Sequence, residues 1–213
     1  FDADTITAIS TPVGEGGIGV IRISGSEAIP VADRIFESKK GIPVSDQKSF
    51  TVQYGHIISK ELPGEKKVID EALLLVMRAP KSFTREDVVE ISAHVGIAAL
   101  QAILRLVLKA GARLAEKGEF TKRAFLNGRI DLIQAEAVLD LVKAKTELGR
   151  QWAAAQLEGG LSEKIRNFKQ ELLDILSHLE ASIDFPEDFP DMDSIPKIGQ
   201  RLGNLSHGLK QLI

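Results

Sequence analysis

The stretch EDVVEISAHVGIAALQAIL, residues 86–104, begins with a strand pattern and ends with a helix pattern. The alternating polarity of residues 87–92 predicts a strand with Glu90 on one face and Ile91 on the other. From Gly96 to residue 110 the apolar residues return at helical spacing. His94 lies at the turn between the two patterns, so the stretch predicts a strand–turn–helix unit with a candidate site at the turn.

Strand and helix patterns alternate over the first part of the chain. Residues 5–10, 18–24, 50–58 and 68–79 are predicted strands, and residues 11–17 are a predicted glycine-rich loop. Ser26 is predicted to cap a short helix that runs through Phe36. These patterns indicate an α+β region at the start of the chain.

After Gly128 the pattern becomes helical, and no proline occurs between residues 131 and 181. We therefore predict an α+β domain over residues 1–120 and an all-α domain over residues 121–213. An acidic, proline-containing break at residues 184–193 precedes a further helix, whose pattern reaches the end of the chain without a C-cap. Two apolar stripes at helical spacing predict long helices, one of Leu132, Ala135, Val138, Leu139 and Val142, the other of Leu161, Ile165, Phe168, Leu172, Ile175 and Leu179.

The composition excludes several kinds of site. The net charge of −3 does not by itself indicate a nucleic-acid-binding protein. The absence of cysteine excludes disulfides and thiolate metal sites. No apolar run approaches the roughly 20 residues of a membrane span, and the first residues do not form a signal peptide. We expect a cytoplasmic location and no membrane partner.

Two strand residues of opposite charge are candidates for ligand binding. Arg22 shares a strand face with Val20 and Ser24, where it needs a carboxylate or an anionic ligand group unless that face is exposed to solvent. Glu90 is either a buried carboxylate or a solvent-facing strand residue. In the first case it can hold a fused ring that carries an N–H and an amino group through two parallel hydrogen bonds. The residues alone leave both alternatives open.

His94 has no second histidine or cysteine near it, so a metal site is not expected, and a structural hydrogen bond is the commoner role of such a residue. Residues 105–129 contain seven basic and two acidic residues. This basic segment suits a polyglutamate tail, a phosphate backbone or an acidic partner, or else forms a solvated face.

The segment GEFTKRAFLNGRIDL, residues 118–132, is predicted to contain a short helix. Phe120, Ala124 and Phe125 are predicted to pack on one side of this helix, and Asn127-Gly128 suits its C-terminal end. Asp131 is predicted to cap the next helix.

Four segments resemble the amino-terminal and early helical regions of the MnmE (TrmE) family of tRNA modification GTPases, in the family order: DTITAISTPVGEGGIGVIRISG, SFTREDVVEISAHVG, GEFTKRAFLNGRIDLIQAEAVLDLV and IDFPEDF. The resemblance implies an N-terminal folate-binding and dimerisation domain, related in fold to the tetrahydrofolate-binding region of the glycine-cleavage aminomethyltransferase. A helical domain, into which a GTPase domain is inserted, is implied to follow.

The resemblance also implies an activity. Together with a flavoprotein partner, the FAD-containing MnmG (GidA), such proteins modify C5 of the wobble uridine (U34) of certain tRNAs. The carbon is thought to come from a tetrahydrofolate derivative, of the 5-formyl or 5,10-methylene type. GTP, Mg²⁺ and K⁺ are implied only for the GTPase domain. The 213 residues contain no G-x-x-x-x-G-K-[ST] motif, so they are not expected to hydrolyse GTP by themselves.

Residue by residue, the resemblance implies folate contacts at Arg22, Glu90 and Arg129. Glu90 is expected to hold the pterin edge, and the two arginines the formyl oxygen or the anionic tail. The turn residues His94, Val95 and Gly96 are expected to line the pocket. Lys122 and Arg123 are expected to belong to a basic patch.

Four residues near this pocket depart from the family pattern. Arg85 and Val95 replace glycine, Ala93 replaces cysteine and Lys117 replaces proline. If residue 95 needed a positive φ, valine would cost about 1–3 kcal/mol there. The departures, together with the lack of the family's C-terminal lysine, bear on folate affinity more than on the fold.

Two alternatives accompany the folate hypothesis. In the first, the chain is a non-catalytic assembly module whose folate pocket is vestigial and whose basic patch and helices recruit tRNA or the partner protein. In the second, it is a stand-alone aminomethyltransferase. The helical pattern at the end of the chain argues against the second alternative, because that pattern suggests a continuation.

Overall fold

A computed structural model describes residues 4–12, 14, 16–60, 66–184 and 195–212. The chain forms two compact units, one reaching Ile130 and the other starting at Asp131. The sequence-based boundary between residues 120 and 121 lies ten residues earlier, inside the helix Glu119–Leu126.

Seven strands of the described residues form one sheet in the first unit. They are β1 (Ile6–Ile9), β2 (Ile18–Ser24), β3 (Phe36–Ser38), β4 (Thr51–Ser59), β5 (Lys67–Met77), β6 (Val88–His94) and β7 (Arg113–Leu114). Their order across the sheet is β3-β4-β5-β6-β2-β1-β7. Neighbours are antiparallel except for the parallel pair β1 and β7. The predicted strand 18–24 is confirmed exactly, and the other three predicted strands agree within two residues at each end.

Helices α1 (Ala28–Ile35) and α2 (Ile97–Lys109) pack on one face of this sheet. Helix α2 lies so close to β2 that a Cβ atom on Gly19 would come within 2.5 Å of the Leu100 side chain. The main core residues of the strands are Ile21, Ile23, Leu74, Val76, Val89 and Ile91, and those of the two helices are Val31, Ile35, Leu100, Ile103 and Val107.

The other face of the sheet carries the polar residues of the same strands. Arg22 of β2 lies opposite Glu90 of β6 in the strand register. Exposed apolar side chains lie on this face as well, namely Ile18, Val52, Tyr54 and Leu73. The alternation of strand residues therefore separates a helix-covered core face from an open face with two opposite charges.

Two local predictions in the first unit are wrong. Ser26 does not cap α1: the N-cap is Glu27, which makes no side-chain cap, and its backbone N–H donates to Thr5 Oγ1 at 3.0 Å. Phe125 does not pack with Ala124, because Ala124 is fully buried in α3 (Glu119–Leu126) whereas Phe125 is exposed. The helix end was predicted correctly, since Asn127 is the C-cap and Gly128 has a φ of +69°, which glycine adopts without a steric penalty.

The described residues of the second unit form α4 (Leu132–Lys143), α5 (Glu147–Leu157), α6 (Gly160–Asp184) and α7 (Ile195–Lys210). Asp131 caps α4 as predicted, in a reciprocal capping box with Gln134. The side chain of Gln134 also donates to the carbonyl of Leu157, at 2.9 Å. Arg201 Nε donates to Glu171 Oε1 at 2.7 Å and so joins α7 to α6.

The predicted apolar stripes of this unit are only partly buried. Ala137, not a member of the first stripe, is the buried residue of α4, while Leu132, Leu139 and Val142 are exposed. In the second stripe Ile175 is buried and Leu172 is exposed. The helical period predicted the helices correctly but not which face packs, because a stripe is buried only where another element covers it.

The acidic break predicted at residues 184–193 lies outside the described residues except for Asp184, the last residue of α6. No helix of the described residues is long and apolar enough to cross a membrane.

Candidate functional site

Arg22 and Glu90 form an ion pair on the open face of the sheet. Arg22 Nε donates a 2.8 Å hydrogen bond to Glu90 Oε1, and Arg22 Nη2 lies 2.6 Å from the same oxygen. The two side chains are 29% and 21% exposed. The carboxylate partner that the sequence predicted for Arg22 is therefore Glu90, and Glu90 is half-buried, between the two alternatives that the sequence left open for it. Glu90 Oε2 accepts no hydrogen bond from the described residues and remains available to a ligand.

The ring of Phe83 connects this ion pair to the third predicted contact residue. The Cζ atom of Arg22 lies 6.0 Å from the ring centroid of Phe83, and that of Arg129 lies 5.1 Å from the same centroid. A second ring, that of Phe120, lies 5.7 Å from Arg22 Cζ. These are cation–π distances. We call Arg22, Glu90, Phe83 and Arg129 the Phe83 cluster.

The loop that carries Phe83 is hydrogen-bonded to β2 on one side and to the end of α3 on the other. Thr84 Oγ1 lies 2.6 Å from the hydroxyl of Ser24 in β2 and accepts the backbone N–H of Glu86 at 3.3 Å. The amide of Asn127, at the end of α3, donates to the carbonyl of Thr84 at 2.6 Å. These bonds form a turn at Thr84 and hold Phe83 between β2 and the α3 terminus.

An open cleft of about 540 Å³ begins at Phe83. Its apolar lining includes Phe50, Met77 and Phe83, and its cations are Lys81, Arg85 and Arg129. The volume lies within the range of small-molecule sites. An aromatic floor with cations at the rim suits a planar ring system that carries an anionic tail.

Sequence reasoning missed Phe83 and Met77, and it assigned Phe120 only a packing role. Phe83 lies in a loop without periodicity, and Met77 ends a strand that was interpreted as core. The one available signal was the position of Phe83 directly before Thr84, a residue type that can accept a hydrogen bond from a nearby backbone N–H and so form a turn.

The turn residues lie apart from the Phe83 cluster. His94 is four residues beyond Glu90 on β6, roughly 13 Å along the strand. Its ring Nδ1 lies 2.7 Å from Asp70 Oδ1, and its backbone N–H donates to Asp70 Oδ2 at 2.9 Å. The hydrogen bond to Asp70 raises the pKa of the exposed His94 ring above its ordinary value. The expectation that residues 94–96 line the folate pocket stays a prediction, with this distance separating His94 from Glu90.

Val95 is not strained by its backbone. It does not adopt a positive φ, and its side chain is 8% exposed in the core beside α2. Gly96 is the N-cap of α2 with a φ of −50°. The condition under which valine would be costly is therefore not met. The strain lies instead at Arg85, another position where the family keeps glycine, because Arg85 has a φ of +60°.

A network of buried and half-buried charges lies beside the cluster and includes Arg123. The guanidinium of Arg123 is 11% exposed and contacts Asp4, Glu86 and Glu119. Arg113 donates to both oxygens of Glu119, at 2.6 and 2.9 Å. These bonds, opposed by burial, lower the pKa of Glu119 to about 2. Arg123 is therefore a structural cation. Of the predicted basic patch, Lys122 and Arg129 remain exposed.

Among the described residues, no group of three histidine, cysteine, aspartate or glutamate side chains is placed to hold a metal ion.

Two family models cover the chain. The model of the GTP-binding protein TrmE N-terminus matches residues 5–129, and the model of the MnmE helical domain matches residues 132–213. The junction of the two matches coincides with the division between the two compact units.

Similar curated proteins carry one name, tRNA modification GTPase MnmE. The protein from Geobacillus thermodenitrificans is 55% identical over 86% of this chain and 39% of its own length. The protein from Listeria welshimeri is 55% identical over 95% of this chain and 42% of its own length. The protein from Lactobacillus johnsonii is 50% identical over 99% and 44%, respectively. The chain thus spans about two fifths of the length of the curated relatives it matches.

Proposed function

Because the chain belongs to the MnmE family and consists of that family's N-terminal and helical domains, we propose that its first unit binds a one-carbon derivative of tetrahydrofolate at the Phe83 cluster. The observation that carries the proposal is that Arg22, paired with Glu90, and Arg129 converge on one aromatic ring. These are the residues for which the family resemblance implied folate contacts.

Glu90 binds the pterin edge in this proposal. A pterin presents an N–H and an amino group side by side, and a carboxylate can accept both. Arg22 occupies Oε1 and leaves Oε2 open. The first ligand hydrogen bond therefore forms at Oε2, and a second requires Arg22 to give up part of its contact with Oε1. Arg22 then still orients Glu90, and its remaining N–H groups donate hydrogen bonds to the one-carbon substituent.

Arg129 binds the carboxylate end of the ligand. Its guanidinium is exposed, lies against Phe83 and has no carboxylate within 4.0 Å among the described residues. The donor set fits folate, since one carboxylate, an aromatic surface and a separate cation match a pterin, an aminobenzoyl ring and a glutamate. When bound, the folate supplies the one-carbon unit.

The complete protein, on this proposal, is a GTPase that modifies C5 of the wobble uridine (U34) of certain tRNAs with an FAD-containing MnmG (GidA) subunit in the cytoplasm. GTP, Mg²⁺ and K⁺ act there through a GTPase domain. The carbon donor is 5-formyl- or 5,10-methylene-tetrahydrofolate. These assignments rest on family membership, and no residue described above carries a step of GTP hydrolysis.

The open sheet face is the proposed homodimer surface. Ile18, Val52, Tyr54 and Leu73 expose apolar area on the strand face opposite the one that α1 and α2 cover. A second copy of the chain would bury this area. A Leu73→Asp substitution should convert a dimer to a monomer in sedimentation velocity, whereas Leu114→Asp, an exposed leucine on the edge strand β7, should leave it dimeric. A wild-type monomer, or a dimer that resists Leu73→Asp, would contradict this surface.

Isothermal titration calorimetry with 5-formyltetrahydrofolate tests the folate site. Wild type should bind, and Glu90→Gln should bind at least roughly tenfold more weakly, because an amide offers the pterin one acceptor and a mismatched donor. Glu71→Gln is the matched control, since Glu71 lies on the same sheet face in the middle of β5, opposite His56. Absence of binding by the folded wild type would favour the alternative of a vestigial pocket in an assembly module. Equal losses in both variants would refute the placement at Glu90.

A further inference from the structure

Three cations around the cleft have no acidic partner. Lys81, Arg85 and Arg129 all line the cleft, and no carboxylate of the described residues lies within 4.0 Å of any of them. The neighbouring arginines differ in this respect, since Arg22 is paired with Glu90 and Arg123 with three carboxylates. The arginines beside the cleft are therefore neutralised by carboxylates, whereas the three cations that line the cleft are not, so positive charge is concentrated there.

The backbone around the cleft is unusual as well. Within the described ranges, Phe50 and Arg85 are the two non-glycine residues with a positive φ, each +60°, and both line this cleft. Such conformations cost on the order of 1 kcal/mol each and tend to occur where a side chain must be held for a ligand. The Arg85 side chain is further fixed by a 3.1 Å hydrogen bond from Nη1 to the carbonyl of Asn127.

One of these cations belongs to the Phe83 cluster, and the other two lie on the loop that carries Phe83. Arg129 lies against Phe83 itself, within the cluster. Arg85 follows Phe83 by two residues, and Lys81 precedes it by two, so both belong to the loop that forms the rim. A ligand whose ring system lies on Phe83 and whose first carboxylate reaches Arg129 would meet these two cations with any further carboxylates.

We propose that this cleft binds the poly-γ-glutamate tail of a folate and makes the site selective for polyglutamylated over monoglutamylated forms. The proposal rests on the folate function proposed above. Each additional γ-linked glutamate adds one carboxylate and no ring, which is the chemistry that a row of exposed cations recognises. Arg85, which stands where the family keeps glycine, makes this rim more cationic in this chain.

Calorimetry of the 213-residue chain with the mono- and pentaglutamate forms of 5-formyltetrahydrofolate tests the proposal. Wild type should bind the pentaglutamate roughly tenfold more tightly, because each exposed ion pair contributes a factor of about three. The preference should decrease as salt concentration rises. Lys81→Gln and Arg85→Gln should each reduce the preference about threefold, because each variant loses one carboxylate contact of the tail.

Arg105→Gln is the matched control, because Arg105 is exposed on α2, on the opposite side of the sheet. It should keep the full preference. Equal affinity of wild type for the two ligands would overturn the tail site and leave the folate site standing. A preference that survives both rim substitutions would also overturn it, because the tail would then bind elsewhere. Absence of binding of either form would refute the folate function itself, and the tail proposal with it.

Discussion

Arg22 and Glu90 lie directly opposite each other on adjacent antiparallel strands, and two nitrogens of Arg22 meet a single oxygen of Glu90. The pair leaves the second carboxylate oxygen open on the side of the sheet that α1 and α2 do not cover. Arg22 therefore orients the Glu90 carboxylate but leaves one of its oxygens able to accept a hydrogen bond from a ligand.

This pair should be energetically coupled more strongly than a surface pair. A double-mutant cycle with Arg22→Gln and Glu90→Gln should give a coupling energy of about 1 kcal/mol, because both side chains are largely enclosed. The same cycle on Arg150 and Glu147, an exposed pair within α5, should give about 0.3–0.5 kcal/mol. Urea denaturation of the variants measures both energies. Equal coupling in the two cycles would contradict the enclosed position of the Arg22–Glu90 pair.

Glycine at position 85 should be more stable than alanine. Arg85→Gly and Arg85→Ala both remove the bond to Asn127, but only glycine relieves the positive φ. The free energy of unfolding of Arg85→Gly should exceed that of Arg85→Ala by about 1 kcal/mol. Thermal denaturation of the two variants tests this difference, and a more stable alanine variant would show that residue 85 has no left-handed backbone in solution.

A Val95→Gly substitution should destabilise the folded protein. Val95→Gly removes a buried side chain from the core and adds freedom to the unfolded chain, so the free energy of unfolding should fall by roughly 2–3 kcal/mol. Gly96→Ala is a suitable control, because φ is −50° there and the nearest atom to an added Cβ is 3.9 Å away. It should change stability by less than about 0.5 kcal/mol. A stabilised Val95→Gly variant would refute the core position of Val95.

The depressed pKa of Glu119 should appear in the pH dependence of stability. Its ordinary value is 4.5 and its folded value is about 2, so its contribution is complete above pH 4.5 and disappears as the pH falls toward 2. Glu119→Gln should lower the free energy of unfolding at pH 7 by roughly 2 kcal/mol and flatten its decline between pH 5 and pH 2.

Glu116→Gln is the control for this effect. Glu116 lies three residues earlier, and its backbone N–H donates to Glu119 whichever side chain it carries. Chemical denaturation at a series of pH values should give this variant a wild-type profile. A wild-type profile for Glu119→Gln would instead mean that the Arg113 contacts do not hold the carboxylate in solution.

The sequence predicted the strands well because polarity alternates clearly along them. Residues 18–24 form β2 without a shift, and Glu90 lies on the face opposite Ile91 as expected. The alternation could not show that Arg22 and Glu90 pair with each other, because that depends on the register between β2 and β6. Each residue was thus placed correctly on a face of its own strand, but the pattern could not show that the two faces are one.

Other features of the site were not available from pattern. Phe83 lies in a loop, where no period indicates its direction, and Arg123 looked like a surface cation until Asp4, Glu86 and Glu119 were brought around it. A backbone cost was considered for Val95, because relatives carry glycine there, but the residue with a positive φ is Arg85. A substitution for glycine shows a departure from the family, and only the φ angle shows whether it carries a cost.

The central claim is that the pterin of a reduced folate binds Glu90 beside Phe83. A crystal structure of the 213-residue chain with 5-formyltetrahydrofolate tests it most directly. The account predicts the pterin edge within hydrogen-bonding distance of Glu90 Oε2, the ring system along Phe83 and the glutamate carboxylate at Arg129. A folate bound at the His94 turn, or at any surface that leaves Glu90 and Phe83 untouched, would contradict it.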